Sequence, residues 1–365
     1  MKLFLGVDVG SVSTNMAFVD EAGEVSDTLY LRTDGNPIRA IQDGLRTMAE
    51  SLRPGDQVAG AGSTGSARLL AGVMLGADVV KNEITAHAVA ALKTVPDVQT
   101  VIEIGGQDSK IIIIRDGVVV DFAMNTVCAA GTGSFLDHQA ARLKIPIEEF
   151  GAIALRARHP VRIAGRCGVF AESDMIHKQQ AGHSMEDIIA GLCEALVRNY
   201  LNNVARGKPI HGPVVFQGGV AANAGIRAAF EKTLGQQVIV PREHGVMGAI
   251  GAAILAKEAT EAAGAAAGAS AGATAVTGFK GFTVSDVAFR TTSFDCKACA
   301  NQCEVVQFWA GRTVAARWGD RCGKWSQGGG RDLPRAASAS SREAEAPATV
   351  SADASCDGCD GVAQA

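Results

Sequence analysis

Two short loops in the sequence combine an acidic side chain with glycine in a way suited to binding phosphate. Asp8 stands two positions before Gly10 in GVDVGSVSTN, and Glu103 stands two positions before Gly105 in VIEIGGQDSK. Each acidic residue ends a run typical of a buried strand, so the glycine backbone can approach an anion while N–H groups point into the turn. Two such loops facing each other would clamp a polyphosphate.

Polar residues around these loops supply hydrogen-bond donors and metal ligands. Hydroxyls in the first loop can donate to phosphate oxygens, and carboxylates in both loops can hold Mg²⁺ through water, because this ion keeps part of its hydration shell. Gln107 and the nearby carboxylates are candidates for positioning a hydrolytic water. The residues concerned are Asp8, Ser11, Ser13, Thr14, Glu103, Gln107, Asp108 and Lys110.

A third glycine pair, in VVFQGGVAANAGIR, again closes a strand and leads into a helix, so it could border an adenosine. A single acidic-glycine turn is common and is usually structural, whereas three such loops in order are far more specific. The predicted nucleotide contacts are Gly10, Ser11, Val12, Ser13, Thr14, Asn15, Gly105, Gly106, Lys110, Gly218, Gly219 and Asn223.

The elements that must position these loops follow an α/β pattern over residues 1–258, where strand-like runs alternate with helical stretches such as EITAHAVAALK. The two acidic-glycine loops also share a plan of strand, loop, strand, tight turn and third strand. Two hairpins built alike suggest two lobes built alike. A hydrophobic content of 47% provides for a substantial core.

Nine cysteines occur, and clustering of this kind points to metal or redox chemistry more than to disulfides in a cytosolic protein. Cys128 and Cys167 are 39 residues apart, and each lies just ahead of a predicted helix. By composition alone each would more often be a small buried apolar residue. Cys193 lies on an apolar helical face and is predicted to belong to the core.

The C-terminal third changes in composition. Residues 259–278 are Ala/Gly-rich and predict a flexible or partly helical linker, and residues 334–365 predict a disordered tail that contains Cys356 and Cys359. Between them, residues 279–333 form a small Cys-rich module with the spacing C-x2-C-x3-C and a later fourth cysteine, which favours a metal site holding zinc or a second iron-sulfur cluster. Its predicted ligands are Cys296, Cys299, Cys303 and Cys322.

Charge and hydropathy exclude two classes of partner. The net charge is −4 and no Lys/Arg-rich stripe is present, so we do not expect nucleic acid binding. The apolar run at the start is interrupted by Asp8, and no later stretch reaches a membrane-spanning length. We therefore expect a cytoplasmic protein without a membrane partner.

The three loops in this order resemble the actin, Hsp70 and sugar-kinase superfamily, which implies a two-lobed actin-like (ribonuclease H-like) ATPase fold. Four motifs, VIEIGGQDSKIII, MNTVCAAGTGSFLD, RCGVFAESDMI and FQGGVAANAGIR, are similar to those of the activator components of 2-hydroxyacyl-CoA dehydratases and of related benzoyl-CoA reductase ATPases. The resemblance covers residues 1–258. The chain differs from the common pattern at Glu103, Asn15 and Ala222, where the family often has Asp, Lys and Gln.

The resemblance implies a homodimer that binds ATP and Mg²⁺ and holds one bridging [4Fe-4S] cluster through Cys128 and Cys167 of both copies. Gly131 and Gly133 would leave room for backbone close to the cluster. ATP hydrolysis would be coupled to one-electron transfer from a ferredoxin or flavodoxin into an acyl-CoA dehydratase or reductase. Two other functions stay open on the same fold: a sugar or metabolite kinase, and a non-redox binding module controlled by nucleotide.

Overall fold

The computed structural model describes residues 1–125, 128–267 and 274–326 of the chain. These residues form two five-stranded sheets, the helices that cover them, and a separate three-stranded sheet. Among them, no helix is both long enough and apolar enough to cross a membrane. The mixed α/β architecture predicted for residues 1–258 is confirmed.

The first lobe is built on a sheet with the strand order β3-β2-β1-β4-β5. Strand β1 pairs antiparallel with β2 and parallel with β4, so one edge of the sheet is a meander and the other needs helical crossovers. Its elements are β1 (Lys2–Val9), β2 (Ser13–Val19), β3 (Val25–Arg32), α1 (Pro37–Glu50), β4 (Gln57–Thr64), α2 (Arg68–Leu75) and β5 (Val79–Val80).

The second lobe repeats this plan with the strand order β8-β7-β6-β9-β10. Strand β6 pairs antiparallel with β7 and parallel with β9, as β1 does with β2 and β4. The two sheets therefore share one topology, as the repeated hairpin plan predicts. The strands are β6 (Thr100–Ile104), β7 (Ser109–Arg115), β8 (Val118–Asn125), β9 (Val214–Gln217) and β10 (Val238–Ile239).

Five helices share a core with one face of the second sheet. Helix α7 is the longest of them and is buried along much of its length, with Tyr200 packed edge-on against Phe230, which in turn packs against Phe216. The helices are α4 (Gly133–Leu143), α5 (Ile147–Ala154), α6 (Gly168–Gln180), α7 (Met185–Asn203) and α8 (Ala224–Leu234).

Two helices, α3 (Glu83–Thr94) and α9 (Met247–Ala266), join the lobes. Helix α9 packs on β1 and β4 of the first sheet and also on α3. Helix α3 in turn packs Ile84 and Ala88 against the second sheet. The backbones approach closely at Gly251 of α9, where an added Cβ would collide with the carbonyl of Ala86 in α3.

The C-terminal region is attached to the first lobe. Asp78 accepts hydrogen bonds from Thr277 Oγ1 at 2.6 Å and from Gly278 N at 2.7 Å, and Phe282 packs edge-on against Phe18. Helix α9 continues into the first part of the predicted linker, as far as Ala266. The third sheet contains β11 (Phe289–Asp295), β12 (Glu304–Ala310) and β13 (Thr313–Trp318). The predicted tail, with Cys356 and Cys359, lies outside the described residues.

Close contact between α3 and α9 predicts an unusual response to a helix-favouring change. Alanine normally stabilises a helix by about 1 kcal/mol relative to glycine. We expect Gly251→Ala instead to lower the free energy of unfolding by about 2 kcal/mol, because backbone must move to admit the methyl group. Chemical denaturation measures this difference.

Gly44→Ala in α1 is the matched control, because there the added methyl would meet mainly the flexible end of the Met16 side chain. We expect the control to change the free energy of unfolding by less than about 1 kcal/mol. Equal losses in the two variants would contradict the close approach of α3 and α9.

Candidate functional site

A cleft lies where the three glycine-containing loops meet. The space between its walls is about 660 Å³ when the part open to solvent is included. The predicted residues that line it are Asp8, Gly10, Ser11, Val12, Ser13, Asn15, Glu103, Gly105, Gly106, Gln107, Asp108, Lys110, Gly218 and Gly219. Loops that are far apart in the sequence thus converge on one site.

Two predicted contacts lie elsewhere. Thr14 is fully buried and its hydroxyl oxygen is 3.0 Å from that of Thr33, because alternation along β2 turns it away from the cleft. Asn223 is the N-cap of α8, where its Oδ1 accepts a hydrogen bond from Ile226 N at 3.1 Å. Thr14 thus belongs to the buried face of β2 and Asn223 caps a helix, although the motif pattern assigned both to the nucleotide.

Sequence reasoning missed several residues that line the cleft. Glu83 and His87 are four positions apart on α3, so they lie on one face of that helix. The signal available in the sequence was a pair of ionisable residues at this spacing in the mostly apolar stretch EITAHAVAALK. The missed lining residues are Tyr30, Ser66, Glu83, His87, His244 and Gly245.

Lys110 is the buried cation of the site, with only 2% of its surface exposed. Its Nζ lies 2.9 Å from Glu103 Oε2, 3.0 Å from Asp108 Oδ2 and 3.3 Å from Glu83 Oε2. Burial opposes the charge of Lys110, but attraction to these three carboxylates outweighs it and raises the lysine pKa above its ordinary value. The lysine therefore stays charged and ties α3 to the second phosphate loop.

Asp8 lies near the end of β1 with its carboxylate enclosed by backbone. A Cβ at Gly65 would overlap Asp8 Oδ1, and a Cβ at Gly248 would overlap Asp8 Oδ2. Gly65 also has a φ of +88°, which other residues rarely adopt. The turn after β4 and the start of α9 thus fix the carboxylate, and neither glycine stands out in the sequence.

Burial dominates the electrostatics of the two strand-end carboxylates. It raises the pKa of Asp8 to about 7, with repulsion from Glu83 adding to the effect. It likewise raises the pKa of Glu103 to about 7, even though Lys110 opposes the shift. Four carboxylates line the cleft, and Lys110 is the one lysine or arginine among the described lining residues. The site therefore favours an additional cation.

Oxygen donors of this kind suit Mg²⁺. Within the described ranges, no three or more His, Cys, Asp or Glu side chains are grouped closely enough to hold a metal ion by themselves. That arrangement fits an ion that keeps several waters and shares its shell with phosphate oxygens. Asp8, Glu103 and Asp108 are the candidate carboxylates.

A buried histidine connects the two lobes at the floor of the cleft. His87 Nδ1 lies 2.8 Å from Gln217 Nε2, which joins α3 to the end of β9. Burial, reinforced by the nearby charge of Lys110, lowers the pKa of His87 to about 3. His87 is therefore neutral near pH 7, and its ring nitrogen accepts the hydrogen bond from the Gln217 amide.

The cysteine pair lies in the second lobe, and both thiols are free and partly exposed. Cys167 is the N-cap of α6, whereas Cys128 precedes a short 3₁₀ turn, Ala129–Gly131, that leads to α4. A Cβ placed on Gly168 would be 3.9 Å from the Ala130 methyl carbon, so the residues that follow the two cysteines are neighbours. Large apolar side chains are exposed beside Cys167, with Val169 at 69% and Phe170 at 66%.

The cysteine loops are held by two asparagines. Asn125 Nδ2 donates to Cys128 O at 2.8 Å, and Cys128 N donates to Asn125 Oδ1 at 3.1 Å. Asn199 of α7 donates to Gly165 O at 2.7 Å, just ahead of Cys167. These contacts fix the backbone while leaving both thiols accessible.

The other cysteines differ from this pair. Cys193 is buried on α7 as predicted, and burial raises its pKa to about 12, so it remains a thiol. Cys296 accepts a hydrogen bond from Trp325 Nε1 at 3.3 Å, which lowers its pKa. Cys299 and Cys322 are exposed. A metal site at these C-terminal cysteines stays a prediction.

Fold and site together define a two-lobed ATPase of the actin-like class. The sequence matches the BadF/BadG/BcrA/BcrD ATPase family over residues 5–256, and the chain belongs to this family. The matched region contains the cleft loops and the cysteine pair, and it ends before the third sheet.

Curated and solved relatives agree with this assignment. The chain is 35% identical over 256 residues to the (R)-2-hydroxyglutaryl-CoA dehydratase activating ATPase of Acidaminococcus fermentans, covering 69% of this chain and 96% of that protein. The crystal structure of component A of that dehydratase superposes with a TM-score of 0.64 at 33% identity, covering 71% of this chain and 99% of that one. The activator of 2-hydroxyisocaproyl-CoA dehydratase from Clostridium difficile, solved with bound ADPNP, gives 0.64 at 30% identity, covering 72% and 97%.

The position of Asp8 predicts the effect of removing its charge. We expect Asp8→Asn to slow Mg-ATP hydrolysis by about 100-fold or more, because bound Mg²⁺ stabilises the ionised form of Asp8 and a fixed charge in a catalytic site contributes on this scale. The near-isosteric amide keeps the packing against Gly65 and Gly248. Phosphate release under saturating Mg-ATP measures the rate.

The control is Asp97→Asn, which removes an exposed carboxylate outside the cleft. We expect it to leave the hydrolysis rate unchanged. An Asp8→Asn variant as active as this control would remove Asp8 from the hydrolytic machinery.

Proposed function

We propose that the chain is an ATP-dependent electron activator. As a homodimer it would hold one bridging [4Fe-4S] cluster through Cys128 and Cys167 of each copy. It would deliver single low-potential electrons to a 2-hydroxyacyl-CoA dehydratase or a related reductase. The pair of accessible thiols at neighbouring turns, in the lobe that carries the second phosphate loop, is the observation that carries the proposal.

The thiol pair fits a shared cluster in number and surroundings. A [4Fe-4S] cluster needs four thiolates, so one copy supplies half and a twofold-related copy supplies the rest. Both thiols are free and partly exposed. Cys167 also caps α6 without a side-chain hydrogen bond, so the first N–H groups of that helix are available to a negatively charged group.

The surface beside Cys167 supports dimer formation. Val169 and Phe170, two and three positions after Cys167, expose more than half of their surface. Large exposed apolar side chains at a site with other functional features are typical of a protein interface. A second copy placed to share the thiols would cover them.

When bound, the cluster supplies one-electron redox chemistry at a potential that depends on charge, hydrogen bonding and solvent exposure. The chain's own residues would bind and hydrolyse the nucleotide. Hydroxyls of Ser11 and Ser13 would donate to phosphate oxygens, and Asp8 and Asp108 would hold Mg²⁺ through water. Gln107 would position the attacking water.

The expected partners follow from the enzymes that the relatives activate. Activating ATPases of acyl-CoA dehydratases serve those enzymes, and we infer an acceptor of the same class here. The electron donor would be a ferredoxin or a flavodoxin. Transfer from the reduced protein to a purified dehydratase, measured anaerobically with and without ATP, tests this assignment.

Iron content tests the cysteine ligands. We expect Cys128→Ser and Cys167→Ser each to lower the iron of the anaerobically purified full chain by one [4Fe-4S] cluster per dimer and to abolish activation of the acceptor. Nucleotide affinity should stay within about twofold of the unaltered chain, because neither thiol lines the cleft.

Cys193→Ala is the control, since this thiol is buried and un-ionised. It should retain all of its iron. Comparing variants by difference also separates the bridging site from any iron held by the C-terminal cysteines. Full iron in both the Cys128→Ser and Cys167→Ser variants would refute the ligand assignment.

The apolar surface beside Cys167 generates a second test. We expect Phe170→Glu to weaken dimer association at least about tenfold, because a charge would be buried in the interface. Sedimentation velocity over a concentration series measures the association.

Leu155→Glu is the matched control, because Leu155 is also exposed, at 57%, but ends a different helix. It should leave association unchanged. Equal dimerisation of the Phe170→Glu variant and this control would show that the surface after Cys167 is not the interface.

A further inference from the structure

The first turn of α4 is bound to the second phosphate loop. Gly133 N donates to Gly105 O at 2.9 Å, and Ser134 N donates to Gly106 O at 2.8 Å. The Ser134 hydroxyl donates to the same Gly106 carbonyl at 2.6 Å. The helix that follows Cys128 is thus attached directly to backbone that lines the cleft.

These contacts replace ordinary helix capping. The first N–H groups of a helix lack partners within it and are usually capped by a side chain. Thr132, the N-cap of α4, makes no such bond, and its hydroxyl instead donates to Ala129 O at 2.8 Å. Carbonyls of the phosphate loop therefore serve as partners of α4, so a shift of the loop must be followed by the helix or must break these bonds.

Gly106 is also where the other loops meet. A Cβ on Gly106 would lie 2.7 Å from Val12 Cγ2 of the first phosphate loop. A Cβ on Gly133 would lie 3.2 Å from Val220 Cγ2, next to the third glycine pair. Nucleotide that draws the loops together therefore acts on the point to which Ser134 is bonded.

A short path leads from this point to the thiols. Thr132 bonds to Ala129, which directly follows Cys128. The next residue, Ala130, is the neighbour of Gly168, which directly follows Cys167. Displacement of the first turn of α4 would thus reach both cysteine loops over a few residues.

We propose that Ser134 is a positioning residue, whose hydroxyl bond to the Gly106 carbonyl couples the nucleotide state of the cleft to the geometry of the Cys128 loop. This inference rests on the proposed function, which gives that coupling its purpose. The coupling itself is a property of the protein chain and can be measured without a cluster.

A second route runs through α7 and competes with this one. Tyr200 Oη donates to Lys110 O at 2.7 Å, and the adjacent Asn199 holds Gly165. Both side chains lie in the core, whereas Ser134 is half-buried and its hydroxyl can be removed with little loss of packing. The Ser134 variant therefore tells the two routes apart.

The test measures alkylation of Cys128 in the full chain prepared without iron. Rates are followed by peptide mass spectrometry with no nucleotide, with Mg-ADP and with a non-hydrolysable Mg-ATP analogue. We expect the analogue to change the Cys128 rate about fivefold or more in the unaltered chain, the lower end of typical coupling between sites. In Ser134→Ala the change should fall below about twofold, with nucleotide affinity retained.

Two controls accompany this variant. Ser173→Ala removes a hydroxyl of α6 that donates to Val169 O at 3.0 Å, away from the cleft, and should keep the full nucleotide response. Ser134→Thr retains a hydroxyl and should show the same nucleotide-dependent change in the Cys128 alkylation rate as the unaltered chain.

A full response in Ser134→Ala, or no response in the unaltered chain, would overturn the coupling inference. Neither result would affect the cluster assignment, because iron content is measured separately. Conversely, an unaltered chain that binds no iron but shows the Ser134-dependent response would refute the proposed function and leave the coupling standing.

Discussion

The contact between Lys110 and its carboxylates is the interaction on which the arrangement of this molecule depends. Glu83 comes from the helix between the lobes, Glu103 from the central strand of the second sheet, and Asp108 from the phosphate loop. The backbone carbonyl of Lys110 also receives the Tyr200 hydroxyl. Breaking a buried ion pair typically costs about 3–5 kcal/mol, because the remaining charges lose their partner. One lysine thus fixes three elements of the cleft to α7.

That constraint leaves the site short of positive charge. Burial raises the pKa of both Asp8 and Glu103 to about 7, although Lys110 lies close to Glu103. An incoming divalent cation with nucleotide would stabilise their ionised forms, so binding and closing of the cleft are expected to reinforce each other. Backbone at Gly65 and Gly248 lies close to both carboxylate oxygens of Asp8 and leaves them little room to move.

Sequence reasoning recovered the parts of the fold and site that are encoded locally. The acidic-glycine spacing and the repeated hairpin depend on neighbouring residues, so both lobes and most of the phosphate loops could be predicted. Glu83, His87, Gly65 and Gly248 reach the site through packing of distant elements, which local patterns do not specify. Thr14 faces away from the cleft because one step along β2 reverses the direction of a side chain.

The route from cleft to thiols is short because the phosphate loop of the second lobe both lines the cleft and bonds to the first turn of α4. Gly105 and Gly106 present one side to the cleft and their carbonyls to α4, so no separate transmitting element is needed. Glycine at Gly106 serves this arrangement, since a side chain there would collide with Val12 of the first loop. The contact is made by backbone and one hydroxyl, and it can therefore shift without opening the core around Tyr200. A rigid connection through α7 would instead require the whole lobe to move, which makes the loop-to-helix contact the less costly place for a conformational signal to pass.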